Sequence, residues 1–208
     1  MVLSAVYNVF LFKYTGNKDI IVGTPVAGRN HADLDNIIGV FLNMLPMRNF
    51  PGGHKTFSQF LEEVKENALE AFENQDYPFD ELVNKLGIPR EAARNPLFDT
   101  EFTTDKQDAP QSENPDLEMG PGLDEIKFAK YELHFLAIEK GNVISIVVRY
   151  STELFKRSTI EKIKHYYIEI LQQVVENIHI KLQDIKVSHR RLTVKSSLQQ
   201  DQNADFRL

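Results

Sequence analysis

Two apolar runs, Leu133-His134-Phe135-Leu136-Ala137-Ile138 and Val143-Ile144-Ser145-Ile146-Val147-Val148, stand on either side of Gly141-Asn142. Runs of this length, rich in β-branched and aromatic residues and parted by a turn signal, predict an antiparallel hairpin. Further strands are predicted at Asp19-Ile20-Ile21-Val22-Gly23-Thr24, over residues 39–47 and over residues 98–104, with Pro46 confined to a strand end or an edge. Between them lie segments with helical spacing. Val2, Ala5, Val6, Val9, Phe10 and Phe12 form a wide apolar face, and Gly16 is a natural stop. Thr56-Phe57-Ser58-Gln59 has the form of a capping box and opens a helix with Phe57, Phe60, Leu61, Val64, Ala68, Ala71 and Phe72 inward. Pro78, with Asp76 before it, starts a shorter helix that Gly87 ends. Ser158-Thr159-Ile160-Glu161 is a second capping box, followed by Ile163, Tyr167, Ile170, Leu171, Val174, Val175 and Ile178. Strands and helices mix without strict alternation, which predicts an α/β (α+β) layered sandwich: a mixed sheet with helices on one side.

The bulk numbers narrow the chemistry. A net charge of -6 disfavours general binding to nucleic acid, and no run of about 20 apolar residues could span a bilayer. The apolar opening has no basic stretch before it and no cleavage site after it, so it is expected to be a core helix rather than a signal peptide. The absence of cysteine excludes disulfides, thiolate metal sites and a thiol nucleophile, and fits a cytoplasmic protein.

Catalytic motifs fail on inspection. Gly23-Thr24-Pro25-Val26-Ala27-Gly28-Arg29-Asn30 has the glycine spacing of a phosphate-binding loop. Arg29 stands where the lysine belongs, however, Asn30 replaces the magnesium-binding hydroxyl, and Pro25 removes a backbone donor. The six histidines have no helical i, i+4 partner for a metal. His134 is expected in a strand, as a core or edge residue. No G-x-S-x-G elbow is present. The residues alone therefore imply a soluble α/β domain, with residues 105–124 as a long polar loop and residues 189–208 as a linker or frayed tail.

Three further segments carry more information. Ile38-Gly39-Val40-Phe41-Leu42-Asn43-Met44-Leu45-Pro46-Met47-Arg48 is similar to an I-G-x-F-V-N-T run. Asn74-Gln75-Asp76-Tyr77-Pro78-Phe79-Asp80 matches H/N-Q-D-x-P-F-E/D, and Arg90-Glu91-Ala92-Ala93-Arg94-Asn95-Pro96-Leu97-Phe98 is close to R-D-x-S-R-N-P-L. In this order they resemble the last three signature motifs of nonribosomal peptide synthetase condensation domains. Leu42, Met44 and Ala93 are mild departures.

That resemblance implies a chloramphenicol acetyltransferase-like fold of two lobes facing each other across a channel. Residues 1–188 would be the C-terminal lobe, and residues 189–208 would lead toward an adenylation domain. The family's H-H-x-x-x-D-G motif belongs to the first lobe and is absent here, so no catalytic residue is assigned and the chain alone is expected to be inactive. Asn43, Gln75 and Asp76 are the candidate substrate-channel residues, although Asn43 could equally be a buried amide serving nearby backbone. Arg94, Asn95 and Pro96 are read as a structural motif, with Arg94 pairing to Asp76 or Asp99. A segment within residues 103–128 is expected to reach across to the first lobe. No cofactor or metal is expected on the chain itself; the phosphopantetheine arm would come on peptidyl carrier proteins. The implied partners are those carriers, the first lobe and the adenylation domain, with self-association possible through the exposed lobe face. The alternative is a non-catalytic module that docks a carrier protein or a separate first lobe; a self-contained acetyltransferase ranks last.

Overall fold

The structure, a computed structural model, describes residues 1–34, 36–89, 94–106 and 130–188. Of the loop expected over 105–124, Asp105 and Lys106 belong instead to the strand Thr100–Lys106, which continues past its predicted end at Thr104; the rest of that loop, most of the expected crossing segment and the tail over 189–208 lie outside these residues.

Among the described residues five strands form one mixed sheet: β1 (Ile20–Val26), β2 (Asn43–Asn49), β3 (Thr100–Lys106), β4 (Leu133–Lys140) and β5 (Val143–Tyr150), in the order β2-β1-β3-β4-β5. The outer pairs β1–β2 and β4–β5 are antiparallel, while β1–β3 and β3–β4 are parallel. The predicted hairpin is β4–β5, turned at Gly141 with φ 58°. Pro46 lies opposite Gly23 in β2, an edge strand whose outer side needs no donor from it.

Helices α1 (Val2–Thr15), α2 (Phe57–Glu73) and α4 (Arg157–Glu176) cover one face of this sheet, and α3 (Phe79–Leu86) sits beside β2. α1 is buried around most of its circumference because α2, α4 and the sheet all pack on it, and Gly16 ends it in the left-handed region. The Thr56–Gln59 capping box is complete: the Gln59 N–H donates to Thr56 Oγ1 and the Thr56 N–H to Gln59 Oε1. The second expected box is not made. α4 begins at Arg157 after Lys156, two residues before the expected start and with no side-chain cap, because the turn at Ser151–Phe155 leads directly into it and Ile160 enters the core.

Tyr7 is the hub of that core. Its ring centroid lies 4.6 Å from Phe135 and 5.4 Å from Phe102, and Phe135 lies 5.4 Å from Tyr167. Such ring pairs each add about 1 kcal/mol beyond area burial. The two phenols are not left dry: Tyr7 bonds Thr100 Oγ1, and Tyr167 donates to the Leu3 carbonyl at 3.0 Å.

The second expected strand begins later than its apolar run. Residues 39–42 are not in β2, which starts at Asn43. Ile38, Val40 and Leu42 are instead held out in solvent at 101%, 88% and 69% exposure.

Candidate functional site

Asn43, the first residue of β2, lies opposite Val26 at the far end of β1. Its amide uses all four of its hydrogen-bonding positions on backbone. Nδ2 donates to the carbonyls of Gln75 and Tyr77, both at 2.8 Å, and Oδ1 accepts from the N–H groups of Met44 and Phe79 at 2.9 and 3.1 Å. Only an amide offers two donors and two acceptors at one point, so no other small side chain could make this knot. It fixes the turn that carries Gln75, Asp76, Tyr77 and Pro78 into α3.

The three candidate channel residues are thus brought together. Gln75 donates from Nε2 to the Phe72 carbonyl at 2.9 Å, and exposed Asp76 accepts from Asn30 Nδ2. Asp76 does not cap α3; Pro78 occupies that position and supplies no side-chain acceptor. The Asn30 contact ties the loop after β1 to this turn, and no motif in the sequence points to it.

Arg29 organises the neighbouring loop. Gly28 is left-handed at φ 63°, and a Cβ there would collide with the Phe41 carbonyl oxygen. Its neighbour Arg29 donates to the carbonyls of Leu34, Ile37 (3.0 Å) and Gly39 (3.2 Å), with its guanidinium 4.6 Å above the Phe41 ring. One planar cation thus holds the backbone at Leu34, Ile37 and Gly39, beside which Ile38, Val40 and Leu42 stand outward. An arginine directly after a left-handed glycine and ahead of an apolar run was the signal available for this clamp.

Arg94, Asn95 and Pro96 lie just before β3. Arg94 holds Asp99 through two parallel bonds, Nε to Oδ1 at 3.2 Å and Nη2 to Oδ2 at 2.6 Å, with Glu132 at 3.6 Å. Of the two partners expected for Arg94, Asp99 is the one bonded. Asn95 Oδ1 accepts from the N–H groups of Leu97 and Phe98, so Pro96 lies inside a side-chain-closed turn. The two regions meet through aromatic rings: Phe79 lies 5.6 Å from Phe98, and Phe98 5.7 Å from Tyr131.

Among the described residues no group of His, Asp and Glu could hold a metal ion, and no helix is long and apolar enough to cross a membrane. The corner presents an apolar loop and the side chains of Gln75 and Asp76.

Over residues 1–193 the chain matches the family described as Condensation domain, and it belongs to that family. It is 49% identical over 187 residues to gramicidin S synthase 2 of Brevibacillus brevis, covering 89% of this chain and 4% of that protein. It is 44% identical over 207 residues to bacitracin synthase 3 of Bacillus licheniformis, covering 99% of this chain and 3% of that one. The chain thus spans a few per cent of the length of these relatives. Among solved structures, the X-domain from teicoplanin biosynthesis superposes with a TM-score of 0.79 at 23% identity, covering 89% of this chain and 43% of that one. A four-domain nonribosomal peptide synthetase bound to AMP and glycine gives 0.76 at 19% identity, covering 89% and 15%. At such identities the likeness concerns the fold, and it bears out the acetyltransferase-like sandwich read from the motifs.

Proposed function

We propose that this chain is the C-terminal lobe of a nonribosomal peptide synthetase condensation domain. It forms one wall of a channel in which two carrier-bound aminoacyl or peptidyl groups are joined by amide formation. The observation that carries this reading is the Arg29-clamped loop, which holds Ile38, Val40 and Leu42 in water beside the Asn43 knot. Apolar side chains fixed outward by a cation are the signature of a surface built to be covered.

The chain turns over nothing by itself. Amide formation requires the amine and the thioester to be aligned between two walls, with a group in reach of the departing proton. The H-H-x-x-x-D-G histidine that would serve is not in this sequence. The chain's part is positioning. Because Asn43 is saturated by backbone, it shapes the wall, while Gln75 Oε1 and Asp76 Oδ2 are the atoms placed to meet an amide of a carrier's phosphopantetheine arm. The chain itself holds no cofactor. Its partners are the first lobe, peptidyl carrier proteins and an adjoining adenylation domain, in the cytoplasm.

The test is dipeptide formation from two loaded carrier proteins, with the chain alone and with a first lobe supplied separately. Product only on mixing is expected. Turnover by the chain alone would overturn the assignment, and tight binding of the first lobe without product would favour a non-catalytic docking module.

A further inference from the structure

The hydrophobic core is divided. Val64 and Phe102 belong to its main body, while Met47, Ala68 and Phe72 pack in a smaller cluster with Val26 and Leu45. Between α2 and the strands β2 and β3 the two bodies do not close on each other. Val64, Phe102, Met47, Ala68 and Phe72 line instead a cavity of about 120 Å³.

A chain of amides holds this gap open. Asn67 of α2 donates from Nδ2 to Asn49 Oδ1 of β2 at 3.1 Å, and Asn49 donates to Asn8 Oδ1 of α1 at 3.4 Å. Asn8 donates in turn to the Ser4 carbonyl at 2.8 Å. Asn8 and Asn49 are 0% and 2% exposed. Buried amides are costly to leave unpaired, so the ladder fixes the separation of α1, β2 and α2. Collapse of the cavity would break it.

The cavity has an apolar floor and a polar mouth. Met47, Val64, Ala68 and Phe102 are buried, whereas Ser4 and Asn67 are half-buried and Thr104 is exposed, and all three of these also line it. The Ser4 and Thr104 hydroxyls have no hydrogen-bond partner among the described residues. Asn67 is bonded only through Nδ2, to Asn49 and to the Arg48 carbonyl, so its Oδ1 is open as well. No charged side chain lines the space.

We infer that this cavity binds a small neutral aliphatic molecule, with its body between α2, Met47 and Phe102 and a hydroxyl or amide head at Ser4, Asn67 and Thr104. Volume sets the size. An apolar cavity of roughly 150 Å³ takes benzene, so this one takes about five non-hydrogen atoms. The lining sets the chemistry. A wholly polar ligand would leave the floor unfilled, and a charged head would lose water without gaining a side chain of opposite charge. Asn43 and Asp76 do not line the cavity, nor does Gln75, and the inference does not rest on the proposed function.

The 208-residue chain with carbon-13 at its methionine methyls tests this, with isobutanol as the probe. Met1 and Met47 border the cavity, whereas Met44 alternates to the opposite face of β2. Saturable shifts are expected at Met1 and Met47 and not at Met44, with a dissociation constant on the order of a millimolar. Isobutylamine, charged at neutral pH, and ethylene glycol, which lacks the aliphatic body, should bind at least about tenfold more weakly. A68L puts a larger side chain into the space and should abolish binding. The double variant S4A/T104V should weaken it about three- to tenfold. Amide spectra verify that each variant is folded, and A68V, a smaller intrusion, serves if A68L is not. No saturable shift at Met47 would mean a cavity that holds only water and would overturn the site. Equal binding of isobutylamine or ethylene glycol would overturn it too, as would binding undiminished in a folded variant at residue 68 or in the double variant.

Discussion

The ring of Phe98 occupies the space where any side chain at residue 23 would stand. A Cβ on Gly23 would lie 2.6 Å from both Cδ2 and Cζ of that ring and closer still to Cε2. Phe98 is 4% exposed and is flanked by Phe79 and Tyr131, so the ring has no free direction in which to retreat. Gly23→Ala should therefore destabilise the chain by about 1–3 kcal/mol, the usual range for overpacking a tight site. Urea unfolding measures it, and Phe98→Leu in the Gly23→Ala background should recover part of the loss. An additive double variant would contradict the contact.

Asn43→Ala removes both donors and both acceptors from the knot, leaving the carbonyls of Gln75 and Tyr77 and two N–H groups without partners. The expected loss is about 2 kcal/mol, since the site is only half-buried and water can replace some bonds. Hydrogen exchange localises it: the Phe79 amide should lose protection first, while amides in β4 keep theirs.

Arg94→Lys keeps the charge and loses the two-pronged grip on Asp99. Both partners are about half exposed, so the effect is small, about 0.5–1 kcal/mol at low salt. It should shrink further as salt is added. A large, salt-independent loss would mean that the guanidinium serves the fold in some other way.

Burial pushes the phenols of Tyr7 and Tyr167 well above the ordinary tyrosine range. A raised folded pKa means that the native state keeps protons the unfolded chain gives up. The associated stability is complete below the unfolded value, near pH 10, and is lost as pH climbs from there toward the folded values. Alkaline titration should show late, cooperative phenolate absorbance coincident with unfolding. Tyr7→Phe and Tyr167→Phe together should flatten the stability profile above about pH 10.

Much of the architecture was legible because it follows from periodicity and turn chemistry. Gly16, Gly87 and Gly141 stop or turn the chain in the left-handed region as their placement predicts, and Thr56 with Gln59 caps α2. Two features were not legible, because a local pattern does not say how the rest of the chain meets it. Residues 39–42 read as strand, yet Arg29 bonds the Gly39 carbonyl and lies over the Phe41 ring from outside the sheet. Ser158 reads as a cap, but the turn before it had already begun the helix. At the site, the motifs single out Asn43, Gln75 and Asp76 as channel candidates and leave Asn43 open between a channel contact and an amide serving backbone; its four bonds to the backbone, the Phe79 N–H among them, are visible only in three dimensions.

Strands β1 and β3 share a single paired position, Gly23 opposite Glu101, whereas each flanking hairpin is zipped along its length. During folding the β4–β5 hairpin, turned by two residues, can close first, while β1–β2 must close the longer connection over residues 27–42. The join between them must wait until distant parts of the chain meet. α1 reaches both halves through Tyr7, Ile20 and Phe135 and is available from the outset. It is therefore the natural template on which the sheet is assembled, and Gly23 should be among the last backbone amides to gain protection in pulse labelling.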